Sequence, residues 1–144
     1  MIFILLFGGI IFVIDQVTKI IMLSNISPYK SVTIIPHVLD FTLVKNTGIA
    51  FGLLKNHSTI AHCLVLIGCV LLVGVLRNLH SNSRANKLAC AFMIGGALGN
   101  LVDRIRFGAV IDFIDFKIWP VFNLADTFIS IAAGLFIILL FRKT

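Results

Sequence analysis

The sequence predicts a membrane α-helical fold, with four transmembrane helices carrying a small β-containing platform, all in one domain over residues 1–144. Three observations lead there. The chain is 59% hydrophobic and only 12% charged, with a mean hydropathy of +1.08. Soluble globular domains run nearer about 45–50% and about 25%, and a small water-soluble core has no room for the excess. Second, the apolar residues gather into four runs, each approaching the ~20 residues that a helix needs to cross hydrocarbon. Third, one stretch between the first two runs has a different, β-branched and aromatic texture.

The first run covers about 1–23 and is interrupted by Asp15 and Lys19. No basic segment precedes it and no A-x-A site follows, so it reads as a retained helix rather than a cleaved signal. Residues 24–57, "SNISPYKSVTIIPHVLDFTLVKNTGIAFGLLKNH", form the β-containing segment. Ser31–Ile35 and Asp40–Val44 read as short strands, bounded by prolines and by Asn46-Thr47-Gly48. "IAFGLL" is too short to span and suits an interface. The second run, 59–76, ends at Arg77, and the polar "RNLHSNSRANK" connects it to the third. The third covers about 88–105, with Asp103 and Arg104 at its end. The fourth covers 119–141, where Trp119 suits the membrane interface and Pro120 the first helical turn.

An even number of crossings puts both termini on one side. Arg77, Arg84, Lys87, Arg142 and Lys143 share that side, but Lys30, Lys45, Lys55, Arg104, Arg106 and Lys117 lie on the other. The bias of positive charge therefore leaves orientation open. The net charge of +6 sits mostly at the ends of apolar runs, without aromatic–basic interleaving. That pattern anchors helices at lipid headgroups and gives no nucleic-acid platform. Cys63, Cys69 and Cys90 lie within apolar runs and read as small buried hydrophobes rather than a disulfide framework. There is no H-E-x-x-H, no G-x-S-x-G, no P-loop and no dinucleotide fingerprint. His37, His57, His62 and His80 are scattered and read as boundary or packing residues. No metal and no cofactor is expected.

All six acids are aspartates, which makes each one informative. A charge at the centre of a helix in lipid costs about 2.5–3.5 kcal/mol on insertion scales, so each buried Asp needs a partner. Asp15 and Lys19, spaced i,i+4, share a helix face with the acid N-terminal, the favourable order. The plain reading is a self-paired couple near the membrane surface. In the third run two stripes repeat every four residues: Gly96, Asn100, Arg104 and Gly95, Gly99, Asp103. Their glycines let a neighbouring helix approach closely. Arg104 has a plain role too, pairing with Asp103 or a headgroup. In the fourth run Asn123, Asp126 and Ser130 make one polar face continuing to Ala133 and Gly134.

Asp126 has no cation within its own helix, but a second carboxyl sharing its proton would serve. Asp103, Asp112 and Asp115 all lie near the same membrane face, and spacing does not choose among them. Two such groups can hold one proton between them. One then acts as a base towards water while the other donates to a carbonyl oxygen, which is peptide-bond hydrolysis without a metal. A proton-coupled transporter would present the same raw pattern, and an assembly factor could use the polar face to bind partner helices.

Five segments taken in order resemble the bacterial lipoprotein signal peptidase (signal peptidase II) family: "DQVTK" at 15–19, "NTGIAFG" at 46–52, "GGALGNLVDR" at 95–104, "GAVIDFIDF" at 108–116 and "FNLADT" at 122–127. The resemblance implies an intramembrane aspartic endopeptidase that cuts diacylglyceryl-modified prolipoproteins just before the lipidated cysteine. It assigns the catalytic pair to Asp112 and Asp126. Asn46, Gly48, Asn100, Arg104 and Asn123 match residues that line or support the family's substrate site, Asp15 and Lys19 its supporting pair, and Asp103 a structural acid holding Arg104 or the helix end. It also implies a bacterial cytoplasmic membrane location, cytoplasmic termini, an extracytoplasmic platform and a pair near the outer face. The expected partners are prolipoprotein substrates and membrane lipids, with the chain a monomer. Ile49 and Gly52 depart from the residues often found at those positions. Against the transporter, four helices leave little room for a gated pathway and no inverted repeat is visible.

Overall fold

The computed structural model describes residues 1–27, 30–48, 74 and 83–141. The second apolar run, 59–76, lies outside the described residues except for Gly74, which is helical. So do Ile49, Gly52, Cys63 and Cys69. Three helices among the described residues are long and apolar enough to cross a membrane. They are α1 (Ile2–Asn25), α2 (Arg84–Phe107) and α3 (Leu124–Phe141).

α1 buries one stripe, Gly8, Ile11, Asp15 and Lys19. Those steps of three and four residues define a single helix face. The remaining perimeter exposes Leu5, Leu6, Ile10, Val13, Val17 and Ile20, as a helix bathed in lipid would. α2 starts four residues before its apolar run because its N-terminus is set by a cap, the Ser83 hydroxyl accepting from Asn86 N–H at 3.2 Å. It ends at Gly108, whose φ of 69° is the left-handed conformation that closes helices. The glycine stripes serve close packing as expected. A Cβ on Gly95 would stand 2.5 Å from Gly8 O and 2.9 Å from the Ile11 Cβ, and one on Gly96 2.6 Å from Ala125 O. One stripe therefore faces α1 and the other α3. Ala89, Cys90, Met93, Ala132 and Phe136 close the apolar core between α2 and α3.

Three antiparallel strands make the platform, in the order β1 (Ser31–Ile35), β2 (Leu39–Asn46), β3 (Val110–Asp115). A turn at Pro36-His37 joins the first two. Val38 N–H bonds Ile35 O at 3.0 Å and His37 takes a positive φ of 61°. β1 matches its predicted bounds and β2 extends past Asp40–Val44 at both ends. β3 is an addition to the sequence reading. Its residues Val110, Ile111, Asp112 and Phe113 are all buried, so the strand lacks the apolar–polar alternation that marks a half-buried one.

The fourth apolar run needs a correction. Helix α3 begins at Leu124, five residues after the predicted start, and Pro120 is outside it. Phe122 is held to β3 instead: Phe122 and Ile114 exchange backbone hydrogen bonds of 2.8 and 3.1 Å. Asn123 then caps α3, its side-chain oxygen accepting Asp126 N–H at 2.9 Å. A chain paired with a strand cannot also wind into a helix, and the cap defines where winding begins.

Candidate active site

A cavity of about 870 Å³ opens between the end of α2, β3 and the start of α3. Its polar lining includes Asn46, Asn100, Arg104, Asp112 and Asp126, and its apolar lining includes Phe116, Trp119, Phe122, Ile129 and Ile131.

Four elements place the polar groups, with Asn100 and Arg104 both on α2. β3 carries Asp112, 1% exposed. Asn123 Nδ2 donates to one of its oxygens at 2.7 Å, and Asn46 Nδ2, at the end of β2, to the other at 3.0 Å. Asn46 is itself fixed because its side-chain oxygen accepts Gly48 N–H at 3.0 Å. The first turn of α3 carries Asp126, half-buried, which accepts from Asn100 Nδ2 at 2.7 Å. Asn123 Nδ2 also reaches Asn100 Oδ1 at 3.1 Å, so the amides of Asn100 and Asn123 link the two carboxyl groups. Burial pushes the Asp112 carboxyl up to about 7, and the charge of Asp126 adds to the rise, while the Asn46 and Asn123 bonds and Lys19 oppose it.

Spacing left three candidate partners for Asp126, and the structure separates them. Asp103 is committed elsewhere: Lys19 Nζ at 2.7 Å, Ile111 N–H at 3.1 Å and Gln16 Nε2 at 3.0 Å. Asp115 sits on the platform, bonded to Thr42 and Lys117, with Lys117 also paired to Asp40 at 2.6 Å. Asp112 lines the same cavity as Asp126.

Asp15 and Lys19 pair as expected, at 2.8 Å, and at 0% and 2% exposure they are buried within the bundle. Of the two roles open to Asp103, holding Arg104 or holding the helix end, the structure shows the second. Asp103 ties the last turn of α2 to β3 through Ile111 N–H and gives its charge to Lys19. The Arg104 guanidinium donates instead to Gly48 O at 3.3 Å and Asn100 O at 3.5 Å. Gln16 is a residue the sequence reading passed over. It donates to Asp103, to Gly99 O at 3.2 Å and to Asp15 at 3.3 Å. Its signal was a neutral amide beside Asp15 on an otherwise apolar helix. Ser130 lines the cavity as its face predicted.

The model of the family described as Signal peptidase (SPase) II matches residues 7–142, which takes in every residue of this cluster. The chain belongs to the signal peptidase II family. It is 41% identical over 122 residues to the lipoprotein signal peptidase of Moorella thermoacetica, covering 85% of this chain and 81% of that one. To the lipoprotein signal peptidase of Halothermothrix orenii it is 39% identical over 137 residues, covering 93% and 92%. A solved bacterial membrane enzyme, determined by the in meso method at 2.3 Å, superposes with a TM-score of 0.82 at 30% identity, covering 97% of this chain and 88% of that one. Membership in a family of membrane peptidases fits the three apolar helices, and it places this chain with hydrolases rather than with transporters or assembly factors.

Proposed function

We propose that the chain is an intramembrane aspartic endopeptidase that removes the signal peptide from diacylglyceryl-modified prolipoproteins, cutting before the lipidated cysteine. The observation that carries the proposal is the placement of Asp112 and Asp126 on one cavity, linked through two asparagine amides. The named relatives supply the substrate class.

The chemistry follows from one shared proton. The ionised carboxyl takes a proton from water, and the oxygen attacks the scissile carbonyl carbon while the protonated carboxyl donates to the carbonyl oxygen. The tetrahedral species collapses when the nitrogen is protonated by the pair and the C–N bond breaks, releasing the signal peptide's new carboxylate and the amine of the lipidated cysteine. Loss of the shared proton as pH rises through about 7 removes the donor and ends turnover. Asn46 and Asn123 hold Asp112, and Arg104 holds the Gly48 carbonyl at the cavity's edge. The apolar lining suits acyl chains entering from the bilayer. In this reading the termini are cytoplasmic, the platform is extracytoplasmic, the pair lies near the outer face, and the working unit is a monomer.

Purified protein in detergent, given a synthetic diacylated prolipoprotein, tests the proposal. Asp112→Asn and Asp126→Asn should each fold and lose hydrolysis, because Asn cannot ionise. The double variant should be little worse than either single one, since the two act as a unit. Near-normal turnover by either single variant sinks the mechanism.

A further inference from the structure

An asparagine amide can be mounted either way round, and its orientation decides whether a carboxylate meets a donor or an acceptor. Two of the three amides in the cluster are oriented by backbone. Asn46 must turn its oxygen to Gly48 N–H, and Asn123 must turn its oxygen to Asp126 N–H. Their NH2 groups therefore face Asp112. For Asn100, among the described residues, no backbone N–H bonds to Oδ1. That oxygen accepts instead from Lys19 Nζ and Asn123 Nδ2, each at 3.1 Å.

Lys19 has three N–H bonds to give and, among the described residues, three acceptors around it: Asp15 at 2.8 Å, Asp103 at 2.7 Å and Asn100 at 3.1 Å. Neutralising the two acids accounts for two of them. The third lies on Asn100, across 81 residues of sequence. An ammonium has no acceptor, so a reversed Asn100 would set donor against donor at Lys19 and its carbonyl oxygen against Asp126.

We infer that Lys19 is a positioning residue for hydrolysis, whose third N–H locks the Asn100 amide with its NH2 towards Asp126. This rests on reading Asp112 and Asp126 as the reacting pair. Among the described residues, the charged groups around that pair are Asp15 and Lys19 on α1 and Asp103 and Arg104 on α2, while β2 contributes the neutral Asn46. Asp40, Asp115 and Lys117 form their own cluster on the platform. With Asn100 reversed, the pair faces an acceptor and keeps its shared proton to higher pH.

Lys19→Met with Asp103→Asn tests position at constant net charge. The pair of substitutions removes one cation and one anion, so the net charge of the buried cluster is unchanged, and Asp15 keeps its bonds from Ala125 N–H and Gln16. Two quantities are read on folded protein in detergent. The side-chain NH2 resonances of Asn100, assigned by their loss in Asn100→Asp, are recorded without substrate. Turnover of the diacylated prolipoprotein is recorded against pH. The expected result is a displaced Asn100 signal, a fall in kcat of about 100-fold from misplacement of a reacting group, and an alkaline limb moved up by about one pH unit. An unmoved Asn100 signal, or a kcat and pH profile indistinguishable from the parent, overturns the inference. Should the double variant not fold, Asn100→Asp with Lys19 intact decides. It still accepts from Lys19 but offers Asp126 no N–H, so loss of turnover with the same displaced limb is expected and parental behaviour overturns the inference. Full cleavage by Asp112→Asn or Asp126→Asn would defeat the reading of the reaction alone, since the Asn100 signal reports orientation without substrate.

Discussion

Asp112→Asn should make the protein more resistant to unfolding at alkaline pH, even as it removes activity. The carboxyl is 1% exposed, and burial together with the Asp126 charge raises it from 3.8 to about 7. Between those values the folded protein holds a proton that the unfolded chain has released, so stability falls as pH rises from 3.8 through 7. From pH 5 to pH 8 the loss comes to about 2–3 kcal/mol at 1.36 kcal/mol per pH unit. Asn has no such titration. Its NH2 would face one of the two amides that now donate to Asp112, costing on the order of 1 kcal/mol at every pH. That offset shifts the whole curve without bending it. Thermal unfolding of parent and variant in one detergent, followed by circular dichroism from pH 5 to 8, reads the difference. The gap between the two melting temperatures should change in the variant's favour by on the order of 5–10 °C across that range. Curves that stay parallel refute the argument that ionising Asp112 is costly in the folded state.

Gly95→Ala should destabilise the bundle. Its methyl meets Gly8 O at 2.5 Å and the Ile11 Cβ at 2.9 Å, an overpacking cost of about 1–3 kcal/mol that outweighs the ~1 kcal/mol gained in helix propensity. Gly9→Ala, with nothing within 4 Å among the described residues, should raise the melting temperature; the reverse order would contradict the close α1–α2 approach. Asp115→Asn should keep most turnover and cost little stability, because its partner Lys117 is 42% exposed and such pairs are screened by water. Exhaustive chelation should leave cleavage unchanged, since among the described residues no group of three His, Cys, Asp or Glu side chains could hold a metal ion. Activity lost to the chelator and restored by one divalent ion would contradict a mechanism run by carboxyl groups alone.

What the sequence disclosed, and what it hid, divides by the distance over which a signal acts. Apolar runs and the Ser31–Ile35 strand were readable because hydropathy and β-branching are properties of neighbours. The i,i+4 relation of Asp15 and Lys19 was readable for the same reason. The burial of that pair was hidden, because it depends on Asp103, Asn100 and Ala125 N–H, each 81 or more residues away. β3 was hidden because burial of Val110 through Phe113 erased its alternation, and the start of α3 because Pro120 is acceptable both in a first turn and in an extended approach. Residue types and spacings alone reduced the site to Asp126 and three possible partners, and the pair was named there only through likeness to a family. Geometry then separated the three, because Asp103 and Asp115 spend their oxygens on lysines while Asp112 lines the cavity.

The single polar stripe of α1 also bears on how the helices find one another. Within a bilayer, apolar surfaces gain nothing by leaving lipid for one another, so the broad apolar perimeter of α1 cannot tell one docking side from another. Asp15, Gln16 and Lys19 can, because each would otherwise face hydrocarbon with its hydrogen bonds unmade. They act as a key: a slide of one turn takes Asp15 from Ala125 N–H, Gln16 from Gly99 O and Lys19 from Asn100 together. Ala125 adjoins Asp126 and Asn100 donates to it, so under the proposed mechanism seating α1 and assembling the carboxyl pair are one event, and a chain whose first helix has not docked would be inactive.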